Sequence, residues 1–386
     1  MKLTCDRDDL AESINLAMRA VSSRTTLNIL ECVLLIADED NCVRLIGNDL
    51  EIGIETKPIE AQVLESGCIA LEAKMFSEIV RKLPPGEVLI STDENNIAFV
   101  KSGKAEFKIF GQSGEEFPFL PEVEKGKSYA VPANIIKNMV RQTIFSIAVD
   151  ESKPIMTGEL FEIKNNSLML VAFDGFRLSI REAVIADIEE NREENDEDIA
   201  EVAIASDIIK VVVPGKTLSE ISKMLPDKTD PVLISFSEKH IIFDLSNCVL
   251  VSRLIEGNFL NYENVFTNDY TTLVYVNKDD LLDSLERTTL INKDLKKRPV
   301  KLKITEDKII ITQTTEMGTS YDEVGVEIDG MPLEIGFNPK YLIDALKAID
   351  ESEICMQLKT PLSPCIILNE EVGGYKYLVM PLGRMN

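Results

Sequence analysis

The sequence predicts an α+β fold of three similar domains, each made of two repeats that run from a strand into a helix and then into antiparallel strands. Three observations lead there. Six amphipathic helical stretches begin roughly 60 to 80 residues apart, a spacing at which internal repetition is expected. Each is followed by stretches in which apolar and polar residues alternate, the pattern of half-buried strands. Turn-forming clusters separate those strands: Asp38-Glu39-Asp40-Asn41, Asp93-Glu94-Asn95-Asn96 and Asn165-Asn166.

The first element sets the pattern. Leu3 and Cys5 begin a strand that runs into a helix with Leu10, Ile14, Ala17, Met18 and Val21 on one face. Asp8 and Asp9 fall in its first turn, where acids suit the helix dipole. The second helix presents Phe76, Ile79, Val80 and Leu83, and the third Ile136, Met139, Val140 and Ile147. The fourth presents Leu218, Ile221 and Leu225, the fifth Leu281, Leu282, Leu285 and Thr289, and the sixth Leu342, Ala345, Leu346 and Ile349. Odd and even repeats carry different strand patterns, so two repeats make a domain. The expected domains are 1–126, 127–267 and 268–386, with boundaries near Gly126 and Thr267. Asp187–Glu201 is almost continuous acid without apolar period, which reads as a solvated insertion.

Composition narrows the function. The chain has 386 residues, too many for one ordinary core. No apolar run approaches the ~20 residues of a membrane span, and the N-terminus is charged by Asp6, unlike a secretory leader. The seven cysteines are scattered without a CxxC, as expected of reduced thiols in a cytoplasmic protein. His240 is the only histidine, placed at a hairpin turn before a strand. Multi-histidine zinc sites are thereby excluded, and no cofactor or metal is expected. With 66 acids against 41 bases the net charge is −25, which argues against a broad basic surface.

The bases are nevertheless patterned. Lys74 and Arg81, Lys216 and Lys223, and Lys340 and Lys347 are spaced by seven, and Lys137 and Arg141 by four. Both spacings place the pair on one helix face, away from the apolar stripe. Arg19 and Arg24 lie on or just after the first helix. If the repeats pack with rough symmetry, these cations converge on one surface suited to phosphate backbone and blind to sequence.

Several local segments complete the picture: SSRTTLNIL at 22–30, NDLEIGI at 48–54, EEFPFLP at 115–121, AFDGFRLS at 172–179, EGNFLNYENV at 256–265, IGFNPKYLIDAL at 335–346 and YLVMPLGR at 377–384. In this order, along essentially the whole chain, they resemble the bacterial DNA polymerase III beta subunit, the sliding clamp family. The resemblance implies a DNA clamp fold with helices inside and sheets outside, in a head-to-tail dimeric ring around duplex DNA. It also implies a processivity role without catalysis. The positions matched to DNA contacts are Arg24, Lys74, Lys137, Arg141, Lys153 and Lys216.

Those matched to a partner-peptide groove between the second and third domains are Met156, Phe173, Gly175, Phe176, Arg177, Leu178, Leu260, Val265, Asn338, Tyr341, Leu362, Val379, Met380, Pro381 and Leu382. For the subunit contact they are Phe107 and Ile109 with Leu290 and Ile291. The implied partners are double-stranded DNA, a second copy, and the replicative polymerase, clamp loader, other polymerases and repair proteins through short linear peptides. Phe176, Leu260 and Asn264 depart from the family's common polar residue, proline and arginine. The tail Gly383–Asn386 runs past the usual end.

Two other readings compete. A carboxylate-based hydrolase would use acids such as Asp49 and Glu51, but the sequence has no P-loop, nucleophile elbow or GxGxxG. A repeat-built protein scaffold without DNA would retain linear and circular DNA equally.

Overall fold

The computed structural model describes residues 1–22, 25–121, 128–188, 208–263, 265–266, 269–292, 298–369 and 374–382. The expected boundaries at Gly126 and Thr267, the stretch 189–201 of the acidic insertion, Arg24, Asn264 and the tail 383–386 lie outside the described residues.

All six expected helices form: α1 (Arg7–Ala17), α2 (Ala73–Lys82), α3 (Ala133–Thr143), α4 (Gly215–Met224), α5 (Lys278–Thr289) and α6 (Pro339–Ala348). Each follows directly on a strand or begins one residue after it. At four of the six the joint is chemical: a polar side chain at or just past the end of the strand caps the helix. Asp6 accepts from Asp8 N at 2.7 Å, Glu72 from Met75 N at 2.7 Å, Asn277 from Asp279 N at 3.0 Å and Asn338 from Lys340 N at 3.0 Å. The expected apolar faces are the buried ones. α1 buries Leu10, Ile14 and Ala17 but ends before Met18 and Val21, which are half-buried. Ile147 likewise lies beyond the end of α3.

The turns are chemical too. Asn165 and Asn166 both take positive φ, 48° and 60°, as a two-residue hairpin linking Lys164 to Ser167 requires. Asp93 Oδ1 accepts from Asn95 N and Ile97 N, both at 2.9 Å, and Asn96 takes φ 56°. All seven cysteines are free thiols, five of them buried. His240 opens the strand His240–Asp244, closing a turn in which Ser237 N donates to its carbonyl at 2.9 Å.

The described residues form two compact units. The first comprises Met1–Ala133, Ala186–Asn195 and Pro226–Leu254. Here α1 and α2 pack together over a core that includes Leu3, Leu10, Phe76, Val80 and Ile90. Most of its strands share one continuous antiparallel path, because Ile52–Thr56 pairs with Cys248–Arg253; Cys32–Asp38, Gly67–Glu72 and Gln112–Ser113 branch from it. Gly47 is required where that sheet meets α1: a Cβ there would sit 2.0 Å from the Ala17 carbonyl oxygen.

The second unit comprises Asn134–Ile185, Asp196–Leu225 and Ile255–Asn386. α5 and α6 pack together over Leu281, Leu285, Phe337, Leu342 and Tyr377. A nine-stranded sheet runs through it, because Arg177–Val184 pairs with Tyr375–Val379. A separate four-stranded sheet ends on Gly318–Gly325. The strands expected of the middle domain are therefore divided between two sheets, one in each unit.

Candidate peptide groove and nucleic-acid face

The groove residues cluster in the second unit around one buried arginine. Asp174 organises the turn before it: its Oδ1 accepts from Phe176 N and Arg177 N, both at 2.9 Å. Gly175 takes φ 97°, a conformation open to glycine and costly elsewhere. Arg177 then lies almost wholly buried, its Nε 2.9 Å from Asp174 Oδ2 and its Nη1 2.7 Å from Asp344 Oδ2. Its guanidinium lies 4.6 Å from the Tyr341 ring centre and 5.4 Å from that of Phe145. Phe176 stacks on Tyr341 at 6.2 Å yet remains 55% exposed. Burial, with Asp174 nearby, pushes the Tyr341 hydroxyl's pKa up.

The C-terminal strand supplies the adjoining wall. Val379 pairs with Arg177, Met380 N donates to the Phe176 carbonyl at 2.8 Å, and Leu382 N to the Gly336 carbonyl at 2.9 Å. Beyond Pro381, a cleft of about 430 Å³ is lined by Leu362, Leu382, Ile335, Pro361 and the ends of Lys301 and Glu334. Met380, Leu362 and Leu260 are exposed; Phe173, Met156 and Val265 are half-buried.

Three expected liners also carry structural duties. Leu178 is fully buried, packed with Leu160, Val171, Tyr262 and Leu378, and Val379 is buried in the neighbouring core. Asn338 spends its carboxamide oxygen on capping α6. Leu178→Ala is thus expected to act on stability, lowering the urea midpoint by the equivalent of about 2–5 kcal/mol. Phe176→Ala should leave that midpoint unchanged and weaken peptide capture, as read by fluorescence anisotropy. The sequence reading missed Asp344 and Phe145. Asp344 had a signal: it stands four residues after Lys340, and they pair at 2.6 Å.

The expected nucleic-acid positions divide as well. Lys74, Lys153 and Lys216 are exposed and Lys137 half-buried. Lys153 follows a turn in which Ser152 donates to Asp150 from both N and Oγ, at 3.0 and 2.8 Å, holding that carboxyl below the usual carboxylate range. Arg141 is exposed but already engaged, 2.5 Å from Asp350 and donating to the Ala348 carbonyl at 3.2 Å. Of the expected subunit-contact residues, Phe107 is 37% and Leu290 82% exposed, and Ile291 is half-buried. Ile109 differs from the expectation of a contact residue: it is 2% exposed, its side chain taken up by the core of the first unit.

Comparison with known proteins decides the family. Residues 1–121 match the N-terminal domain of the DNA polymerase III beta subunit, 130–261 its central domain and 263–383 its C-terminal domain. The chain belongs to this family. It is 33% identical to the beta sliding clamp of Bacillus subtilis (strain 168), covering 99% of both chains. A structure from Eubacterium rectale described as a DNA polymerase III beta subunit is 40% identical, with a TM-score of 0.91 and 100% of both chains covered. A Pseudomonas aeruginosa sliding clamp bound to griselimycin is 25% identical, with a TM-score of 0.89 over 100% of both chains. As a sliding clamp of this family, the chain is a processivity factor in DNA replication and not a catalyst. Among the described residues no helix is long and apolar enough to cross a membrane.

Proposed function

We propose that two copies of the chain join head to tail into a ring that holds duplex DNA in the cytoplasm without reading its sequence. The Arg177–Tyr341 groove then takes short linear peptides from the replicative polymerase, the clamp loader and other DNA polymerases and repair proteins. The observation that carries the ring is a pair of open sheet edges. Ala105–Phe110 ends the sheet of the first unit, with Phe107 and Phe110 exposed. Gly318–Gly325 ends the four-stranded sheet of the second, with Tyr321 exposed on it and α5, which Leu290 follows, packed against it.

Open apolar edges invite pairing with another chain. The two differ in charge: Lys104 and Lys108 lie on or beside the first, with Glu106 between them, and Asp322 and Glu323 lie on the second. A contact between two unlike surfaces is heterologous, and it closes when each copy supplies one of each. The bases at Lys74, Lys137, Lys153 and Lys216 support weak contact with phosphate. DNA held by topology needs no more than that.

The test is retention on loaded circles. The protein should stay on nicked circular DNA and leave once the circle is cut. Equal retention on both, or a monomer at every workable concentration, would refute the ring. Lys74→Glu with Lys216→Glu should shorten retention and lower the log–log salt slope by about 2, near 0.9 per lost phosphate contact. An unchanged slope would remove those two lysines from the DNA face.

A further inference from the structure

Several cations on the helices of the second unit are already neutralised by a carboxylate of the same chain. Arg141 on α3 meets Asp350 just past the end of α6, where Gln142 Nε2 also donates to the same oxygen at 3.3 Å. Lys347, one turn before Asp350 on α6, meets Glu286 on α5 at 2.7 Å. The order Arg141, Asp350, Lys347, Glu286 thus runs across three helices with alternating sign. On α4, Lys223 meets Glu220 at 2.7 Å. These pairs are solvent-exposed: both side chains of the Arg141 and Lys347 pairs are at least 39% accessible. Exposed pairs of this kind add little to stability, so folding does not explain why acids stand there.

We infer that Asp350 and Glu286 are internal competitors for DNA phosphate, which set the grip of the helix face and keep it weak. A phosphate approaching Arg141 or Lys347 meets a cation whose charge is already offset, and must either share it with the carboxylate that repels it or displace that carboxylate. Each pair therefore subtracts from the attraction that a bare cation would supply. The reason lies in the task. Phosphate contacts accumulate, and a face with several unopposed cations would hold DNA tightly enough to stop sliding. The inference rests on the reading that this helix face meets DNA.

The experiment uses the intact protein and a short duplex, followed by fluorescence anisotropy across a salt series. Asp350→Asn and Glu286→Gln keep shape and hydrogen-bonding capacity while removing the charge. Each is expected to tighten binding about three- to tenfold at low salt and to steepen the log–log salt slope by about one. In an Arg141→Ala background the gain from Asp350→Asn should vanish. Glu39→Gln, an acid at an exposed hairpin turn, should give no comparable gain. Unchanged or weaker binding in the two variants would overturn the inference, because the acids would then be idle or would orient the cations for DNA. A gain that survives Arg141→Ala, or that Glu39→Gln reproduces, would overturn it as a mere effect of net charge. The Lys74→Glu, Lys216→Glu protein separates this failure from failure of the DNA reading. If that protein loses affinity while Asp350→Asn changes nothing, only the competition is refuted.

Discussion

Arg177→Ala is expected to abolish capture of a polymerase-derived peptide and to destabilise the second unit by about 3–5 kcal/mol. Three losses coincide in this variant. Asp174 and Asp344 are mostly buried, and each gives Arg177 one carboxylate oxygen. Asp344 keeps Lys340, but Asp174 loses the cation that pairs with it, and an unpaired buried charge is costly. The Tyr341 ring loses the guanidinium above it, so the Phe176–Tyr341 stack at the groove lip loses its support. Arg177→Lys restores a charge but not the fork that reaches two carboxylates at once, so it should recover part of the stability and little of the binding. Urea melts and peptide anisotropy measure the two effects. A variant that melts normally and still binds would show that Arg177 holds neither the turn nor the groove.

Glu159→Gln is expected to flatten the pH dependence of stability. Glu159 is fully buried on the strand Gly158–Lys164, 2.8 Å from Thr143 Oγ1 at the end of α3. Burial pushes its pKa up to about 8. Thr143 Oγ1 lies equally close, 2.8 Å, to the Met139 carbonyl, so its single hydroxyl proton is divided between two acceptors and offsets little of the cost of a buried charge. The other oxygen of Glu159, Oε1, has no hydrogen-bond partner among the described residues, a poor setting for a full charge.

In the unfolded chain this glutamate ionises near pH 4.5, and in the folded protein it stays neutral up to about 8. Its contribution to stability is therefore complete below pH 4.5. It falls as pH rises, by up to about 1.4 kcal/mol per pH unit, and levels off above 8. Glutamine copies the shape of the neutral acid, and its carboxamide oxygen can still accept from Thr143. The wild-type urea midpoint should drop towards pH 8 while that of Glu159→Gln drops less, the gap reaching roughly 3–5 kcal/mol. Parallel curves would mean that Glu159 ionises in the folded protein at the same pH as in the unfolded one.

Much of this was legible locally. Helix faces repeat every three or four residues, and a pair such as Asn165-Asn166 announces its turn by its own conformational preferences. The basic residues off the apolar stripe could be named for the same reason. What escaped depends on residues far apart. Spacing and the family resemblance both place Arg141 on a solvent-facing helix surface; its partner Asp350 stands 209 positions away, where no local spacing points. That Leu178 and Ile109 are buried was not legible, because which side of a strand faces inward depends on the layer packed against it, here Tyr262 and Leu378 for the first. Phe145 was hidden by the break in helical period at the end of α3.

The threading of the middle repeat pair through two ladders has a consequence for any attempt to isolate it. Freed from its neighbours, that segment would carry raw amide rows where Cys248–Arg253 has lost Ile52–Thr56 and where Arg177–Val184 has lost Tyr375–Val379. Triplicate in sequence, the chain is not triplicate in its joinery: excising the centre strips a partner strand from each of the two pieces left behind.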